Sequence, residues 1–521
     1  MYRGALLILG MGLCAAAHSA EDGLLRGQWR QGGHDFANSR NQPAEVLINS
    51  RNVHALSVKW VFTTGGNVSA TPTVSGDAVF FPDSAGNLYA VNRHNGQLIW
   101  SHQIADYNGV AGSISRNSPA VHDDEVIVGD IEIQNLSRNG ANVIAVDRRT
   151  GALRWITRVD SHITAEITGS PVIYGDTVYV GVSSAEEGFA LAGTLYACCT
   201  FRGSVVALDA HNGKLLWKTY IMPENGGKPG GYSGGAVWQP PAIDPVRGQL
   251  YVGTGNNYSA PDSVLQCEQQ AIDNNNPDPD CAAPDDHFDT ALALDLADGH
   301  IRWSKRLLEY DVWTVSCIVS IPGETPCPVP TGPDYDLGGS GPNLLPKLGL
   351  VGFGQKSGNY WALNPDNGDI QWRTQVGPGG STGGIQWGTA TDGWRIYAAI
   401  SNNGQVPYTL VPGGQEITWG AWSALDVATG KLIWQTADPT IGAFDSGSVS
   451  VANGVMYAGS QSGSMYALDA ATGKVLWSFA SGGTVVDGPS IVDGVVYWGS
   501  GYSNPGTANN KLYAFSLKRR R

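Results

Sequence analysis

One phrase recurs along the chain and leaves few folds open to it. It reads "LYAVNRHNGQLIW" up to Trp100, "VIAVDRRTGALRW" to Trp155, "VVALDAHNGKLLW" to Trp217 and "ALALDLADGHIRW" to Trp303. It continues as "YWALNPDNGDIQW" to Trp372, "WSALDVATGKLIW" to Trp434 and "MYALDAATGKVLW" to Trp477. Each copy is an alternating apolar strand, a turn with Asp or Asn ahead of Gly, and a second short strand closing on Trp, which describes a hairpin. Runs such as "SPVIYGDTVYVGVSS" and "PSIVDGVVYWGS" lie between the copies and bring each unit to about four strands. An eighth unit is divided between the two ends: "LSVKW" to Trp60 has the second half of the phrase, and "KLYAFSL" near the C-terminus has the first. Joining the halves closes a ring and leaves no free sheet edge. The expectation is an all-β, eight-bladed β-propeller over 21–521, closed by pairing of N- and C-terminal strands, with the repeated tryptophans packed between blades.

Successive repeat tryptophans are 40, 55, 62, 86, 69, 62 and 43 residues apart. A bare four-stranded blade needs about 40 to 45. The insertions therefore concentrate between Trp155 and Trp434, and a functional site is expected over the middle blades. Composition narrows its chemistry. A net charge of -14 and the lack of a basic stripe exclude a nucleic-acid partner, and the basic end "KRRR" reads as a solvated tail. The first 20 residues have Arg3, an apolar run from Ala5 to Leu13 and then small residues, the layout of a secretory signal peptide cut after Ser19 or Ala20. The chain is expected in the periplasm or beyond, with Cys14 lost alongside the leader.

Six cysteines remain, enough for three disulfides in an oxidising compartment, with 15 possible connectivities. Proximity favours Cys267 with Cys281 and Cys317 with Cys327. Zinc is disfavoured, since no paired CxxC knuckles occur. Cys198 and Cys199 are adjacent, and across a trans peptide their Cα atoms would be about 3.80 Å apart, below the usual disulfide range of roughly 4.4 to 6.8 Å. A bond between them would gain little stability, because it closes the smallest possible loop; two free thiols are the other reading. The Asp- and Asn-rich "DNNNPDPD" lacks an EF-hand's Gly turn and closing Glu, and reads as a solvated loop.

Eight blades and this phrase resemble the PQQ-dependent alcohol dehydrogenases, the quinoproteins, most nearly their polyvinyl alcohol dehydrogenase branch. Five segments outside the repeats carry the resemblance. "EITGSPVIYGDTVYVGVSSAEEG" resembles the family segment that binds PQQ and its calcium, which implies Thr168, Ser183, Ser184 and Ala185 at the cofactor and Glu186 on the metal, with adjacent Glu187 as the other candidate. "WQPPAIDPVRGQLYVGTGN" implies Trp238 as the floor under the PQQ ring and Asn256 as a calcium ligand, although Ile243 and Gly248 depart from the family pattern. "YDVW" and "PDYDLGGSGPNLL" resemble one family segment split by the insertion with Cys317 and Cys327; its aromatic-then-Asp pattern implies Asp336 as catalytic base and further metal ligand, Asp334 as the alternative base, and Asp311 as a structural residue.

"GQKSGNYWALN" implies Lys356 at the quinone oxygens, where a cation stabilises charge developing on the ring. "RNSPAV" implies Arg116 on a PQQ carboxylate, which suits a planar guanidinium. Arg202 could serve likewise, and Gln386 and Trp387 in "GGIQW" complete the set. In this family a bonded vicinal cysteine pair lies over PQQ opposite the Trp floor, which implies that role for Cys198 and Cys199, delivered here from the third blade. The implied activity is oxidation of alcohols, secondary and polymeric ones among them, by PQQ and Ca2+. No CxxCH occurs, so the implied electron acceptor is a separate c-type cytochrome, cationic against the acidic chain. The reading from another class is a non-enzymatic propeller scaffold of the outer-membrane assembly type.

Overall fold

The computed structural model describes residues 27–132, 140–276, 281–319 and 327–518. The expected leader at 1–20, the basic residues 519–521 and the part of "DNNNPDPD" at 277–280 lie outside the described residues. Eight antiparallel sheets of four strands, one carrying a further short strand, follow one another around a ring. Blades 1 to 7 span 73–103, 120–158, 172–220, 242–306, 343–375, 390–437 and 449–480. Blade 8 takes three strands from 490–517 and its fourth, Leu56–Thr63, from the other end of the chain. Seven register pairs join Leu56–Thr63 to Lys511–Leu517, with Trp60 opposite Ala514.

The repeated phrase has a physical reading in this ring. In every blade the Trp faces an Ala across the ladder: Ala90 and Trp100, Ala145 and Trp155, Ala207 and Trp217, and so on round to Ala514 and Trp60. The small Ala leaves room for the indole to lean outward. A bulge follows the Ala directly in blades 1 to 7 and turns the last strand toward the next blade. There the indole N–H donates to a backbone carbonyl: Trp60 to Arg93 O at 3.0 Å, Trp155 to Ala210 O at 2.8 Å, Trp303 to Pro365 O at 2.8 Å. The turn glycine of that next blade lies under the ring. Gly213 has φ 69° and a Cβ on it would overlap Trp155, so this position needs Gly twice over. Trp372 alone among the eight leaves its indole N–H unpartnered.

The insertions form a cap over blades 3 to 5. Helix Asp262–Asp273 and the short strands Ser233–Gly234 and Asn257–Ser259 belong to it, stapled by Cys267–Cys281 and Cys317–Cys327 as expected. Backbone hydrogen bonds lace four distant segments side by side: Gly234 N to Phe201 O, Gly235 N to Asn256 O, and Asn257 N to Asp311 O. Among the described residues no helix is long and apolar enough to cross a membrane.

Candidate active site

That lacing assembles a half-open cavity of about 190 Å³ between blades 3, 4 and 5. Its wall holds Arg116, Thr168, Ser183, Ser184, Trp238, Asn256, Asp336 and Lys356, all expected from the sequence, together with Glu166, Glu187, Ala236 and Tyr258. A second cavity of about 90 Å³ adjoins it through Arg116, Thr168 and Trp238 and reaches toward the ring axis, where it meets Trp387, Arg40 and Asp487.

Lys356 lies at the centre of the charge arrangement. Its Nζ is 2.8 Å from Asp336 Oδ2 and 2.9 Å from Asp334 Oδ1, and 5.7 Å from the centre of the Trp238 ring. Burial lowers the ammonium's proton affinity, but Asp334, Asp336 and Glu187 outweigh it and hold the lysine firmly cationic. Asp336 keeps its other oxygen on the backbone: Asn256 N donates to Oδ1 at 2.8 Å. Asp334 is 2 % exposed, behind the wall, and burial pushes its carboxyl well above the ordinary range although it shares Lys356. The loop carrying both is pinned from below. Asp311 accepts Asp334 N at 2.9 Å and Tyr335 N at 2.6 Å, as a structural residue should.

The two adjacent glutamates separate. Glu186 is fully buried and spends its carboxylate on Tyr196 Oη at 2.7 Å, Thr200 N at 2.8 Å and Phe201 N at 2.8 Å. Those donors flank the cysteine pair, so Glu186 holds that loop and lies off the cavity wall. Glu187 stands on the wall, its carboxyl pushed up to about 7 by burial, with Lys356 opposing. Glu186, the expected metal ligand, thus has its oxygens on three hydrogen bonds away from the wall, while its neighbour Glu187 faces the cavity. Asn256 donates from its amide nitrogen to Asn257 O at 2.9 Å and to Trp313 O at 2.8 Å.

Cys198 and Cys199 are bonded, across a cis peptide where the sequence argument assumed trans. Cys199 is buried among Val182, Phe201 and Tyr258, and of these Tyr258 reaches the cavity wall. The pair itself is not among the lining residues. Three other candidates also lie off the wall. Arg202 is engaged with Met222 O and, at 2.7 Å, with Glu224; Gln386 donates to Gly383 O at 3.2 Å; Ala185 caps a helical turn. Sequence reasoning missed Glu166, Tyr258 and Arg40. Glu166 and Tyr258 lie within quoted or adjacent segments, two residues from Thr168 and Asn256, on strands whose alternation could have exposed them.

The donor chemistry fits a hard cation. Glu166, Glu187 and Asp336 set three carboxylates on the wall, beside Asn256 and against Lys356 and Arg116. Among the described residues the one group of three acidic or imidazole donors close enough to share an ion is Asp295, Asp298 and His300, on an outer turn of blade 4. A flat anionic ligand would find Trp238 and Lys356 side by side.

The chain has relatives among known proteins. The family model described as outer membrane protein assembly factor BamB matches residues 29–192, 181–305 and 420–521. The chain is 31% identical over 554 residues to the polyvinylalcohol dehydrogenase of Sphingopyxis sp. (strain 113P3), covering 97% of this chain and 78% of that one. It is 31% identical over 538 residues to the polyvinylalcohol dehydrogenase of a Pseudomonas sp., covering 94% and 77%. The crystal structure of quinohemoprotein alcohol dehydrogenase from Comamonas testosteroni superposes with a TM-score of 0.68 at 19% identity, over 95% of this chain and 81% of that chain.

Proposed function

Because the chain belongs to the PQQ-dependent alcohol dehydrogenase family, near its polyvinyl alcohol branch, we propose that it oxidises secondary alcohols, including poly(vinyl alcohol), to ketones in this cavity. PQQ and calcium are the proposed cofactors, a separate c-type cytochrome the acceptor, and the periplasm the location. One observation carries the reading: a buried Lys356–Asp336 pair, 2.8 Å apart, on a cavity wall that also holds Trp238 and Glu187.

PQQ, when bound, supplies the two-electron acceptor. Trp238 gives its planar ring an apolar face, and Arg116, Thr168 and Ser183 give its carboxylates and carbonyls donors. Glu187, Asn256 and Asp336 would hold the calcium. Asp336 is the proposed base. Lys356 at Oδ2 and Asn256 N at Oδ1 hold its carboxylate in place at the wall, where it takes the substrate's hydroxyl proton as the carbinol carbon gives up hydride. Asp334 fixes the other side of the ammonium, so Lys356 stays directed at the cavity.

The scaffold reading is weaker. The BamB-described model leaves 306–419 unmatched, and that stretch holds Asp334, Asp336, Lys356 and Gln386. The dehydrogenase relatives match almost the whole chain. Adding PQQ and calcium to purified apoprotein and following dye reduction with 2-alcohols and with poly(vinyl alcohol) tests the proposal. Quinone absorbance with alcohol-dependent reduction is expected; neither signal would reject the enzyme.

A further inference from the structure

The linker between blades 6 and 7 runs from strand Leu432–Ala437 to strand Val449–Ala452. It carries Asp438 at its start and Asp445 near its end, 1 % and 0 % exposed. Asp438 uses one oxygen, Oδ1, to accept Thr440 N at 2.6 Å, while Oδ2 has no partner. Neither oxygen of Asp445 has one. Gly420 makes room for that carboxylate, since a Cβ there would lie 2.5 Å from Asp445 Oδ2. Gln461 of blade 7 straddles the same residue: its N–H donates to Phe444 O at 3.3 Å and its Nε2 to Ser446 Oγ at 2.7 Å. Gln461 Oε1 is a further buried oxygen without a partner.

Four oxygens thus lie buried and unsatisfied around one linker, and among the described residues no Lys, Arg or His forms an ion pair with either Asp. Two buried carboxylates with so little compensation and no cation are costly to the fold. Burial, then the neighbouring Asp438, drives the Asp445 carboxyl well above its ordinary range, as expected of a pair lacking a cation. The donors are all oxygen, the ligand type of a hard divalent ion.

We propose that Asp438, Asp445 and Gln461 form a second cation site, for calcium or an ion of the same class, that ties the blade 6–7 linker to blade 7. The site stands apart from the proposed cofactor cavity and does not depend on the dehydrogenase reading. Trp419, whose Nε1 donates to Asp438 O at 3.0 Å, places an indole beside it. Indole excitation should therefore sensitise terbium bound there.

The test uses the full chain, stripped with chelator, with calcium counted by equilibrium dialysis and terbium luminescence excited through tryptophan. Asp445→Asn and Asp438→Asn keep side-chain shape and remove buried charge, so folding is retained. Each is expected to bind one calcium fewer per chain than the unmodified protein, to lose the part of the terbium signal excited through Trp419, and to show a smaller calcium-dependent rise in unfolding temperature. Glu187→Gln, on the cavity wall, is expected to keep that signal. Equal calcium counts in the unmodified and Asp445→Asn chains would overturn the proposal and leave a carboxyl pair sharing one proton.

Discussion

Glu186 and Glu187 stand one peptide apart and serve different parts of the molecule, because they start a helical turn, Glu186–Phe189, in which successive side chains diverge by about 100°. Substitution should separate them. Gln at 186 turns one of two accepting oxygens into a donor that faces Tyr196, Thr200 or Phe201, so Glu186→Gln is expected to lower stability by about 1.5–3 kcal/mol in urea denaturation. Glu187→Gln leaves those bonds intact and should weaken calcium binding to the cavity with a smaller effect on the fold. Asp336→Asn keeps Asn256 N and Lys356 within reach but removes the base. A fall in kcat of about 10² to 10⁴ with PQQ affinity retained is expected; full activity would move the base to Asp334. Eight candidates read from local motifs reach the cavity wall, but a motif cannot say which of two adjacent carboxylates turns inward. Nor could it find Arg40, which arrives at the axial cavity from a segment far from any of the five motifs.

At the scale of the element, the hairpin was legible from its alternating strand, turn Gly and closing Trp, whereas the Ala that gives the indole room and the seat of that Gly beneath the preceding blade's indole emerge only in the fold. Gly213 shows their coupling. Gly213→Ala meets both an unfavourable φ of 69° and the Trp155 ring, and is expected to cost about 2–4 kcal/mol. Gly226→Ala is the control: its φ of 63° is similar, but nothing lies within 4 Å, so it should cost about 1 kcal/mol. Equal losses in a denaturant comparison would show that the indole contact contributes nothing. The cap was far less legible. Its order comes from backbone bonds between residues tens of positions apart, such as Phe201 with Gly234 and Asn257 with Asp311, and these leave no periodic trace in the sequence.

For the whole molecule, the divided eighth blade was readable from two half-phrases, and the register confirms it at Trp60 and Ala514. Ending the chain before Lys511 would strip the partner from both Val495–Ser500 and Leu56–Thr63 and expose two strand edges. Loss of the monomer peak in size-exclusion chromatography, with aggregation, is expected; a soluble ring of native β content would show that blade 8 is dispensable. Blade 7 also holds the first-made strand directly, since Trp477 Nε1 donates to Leu56 O at 3.2 Å. Closure of this kind imposes an order on biosynthesis. Leu56–Thr63 is translated well before its partner, which follows more than 440 residues later. Until Leu517 is free of the ribosome the nascent ring cannot close, and its unpaired lips stand open through an interval that the finished circle no longer has.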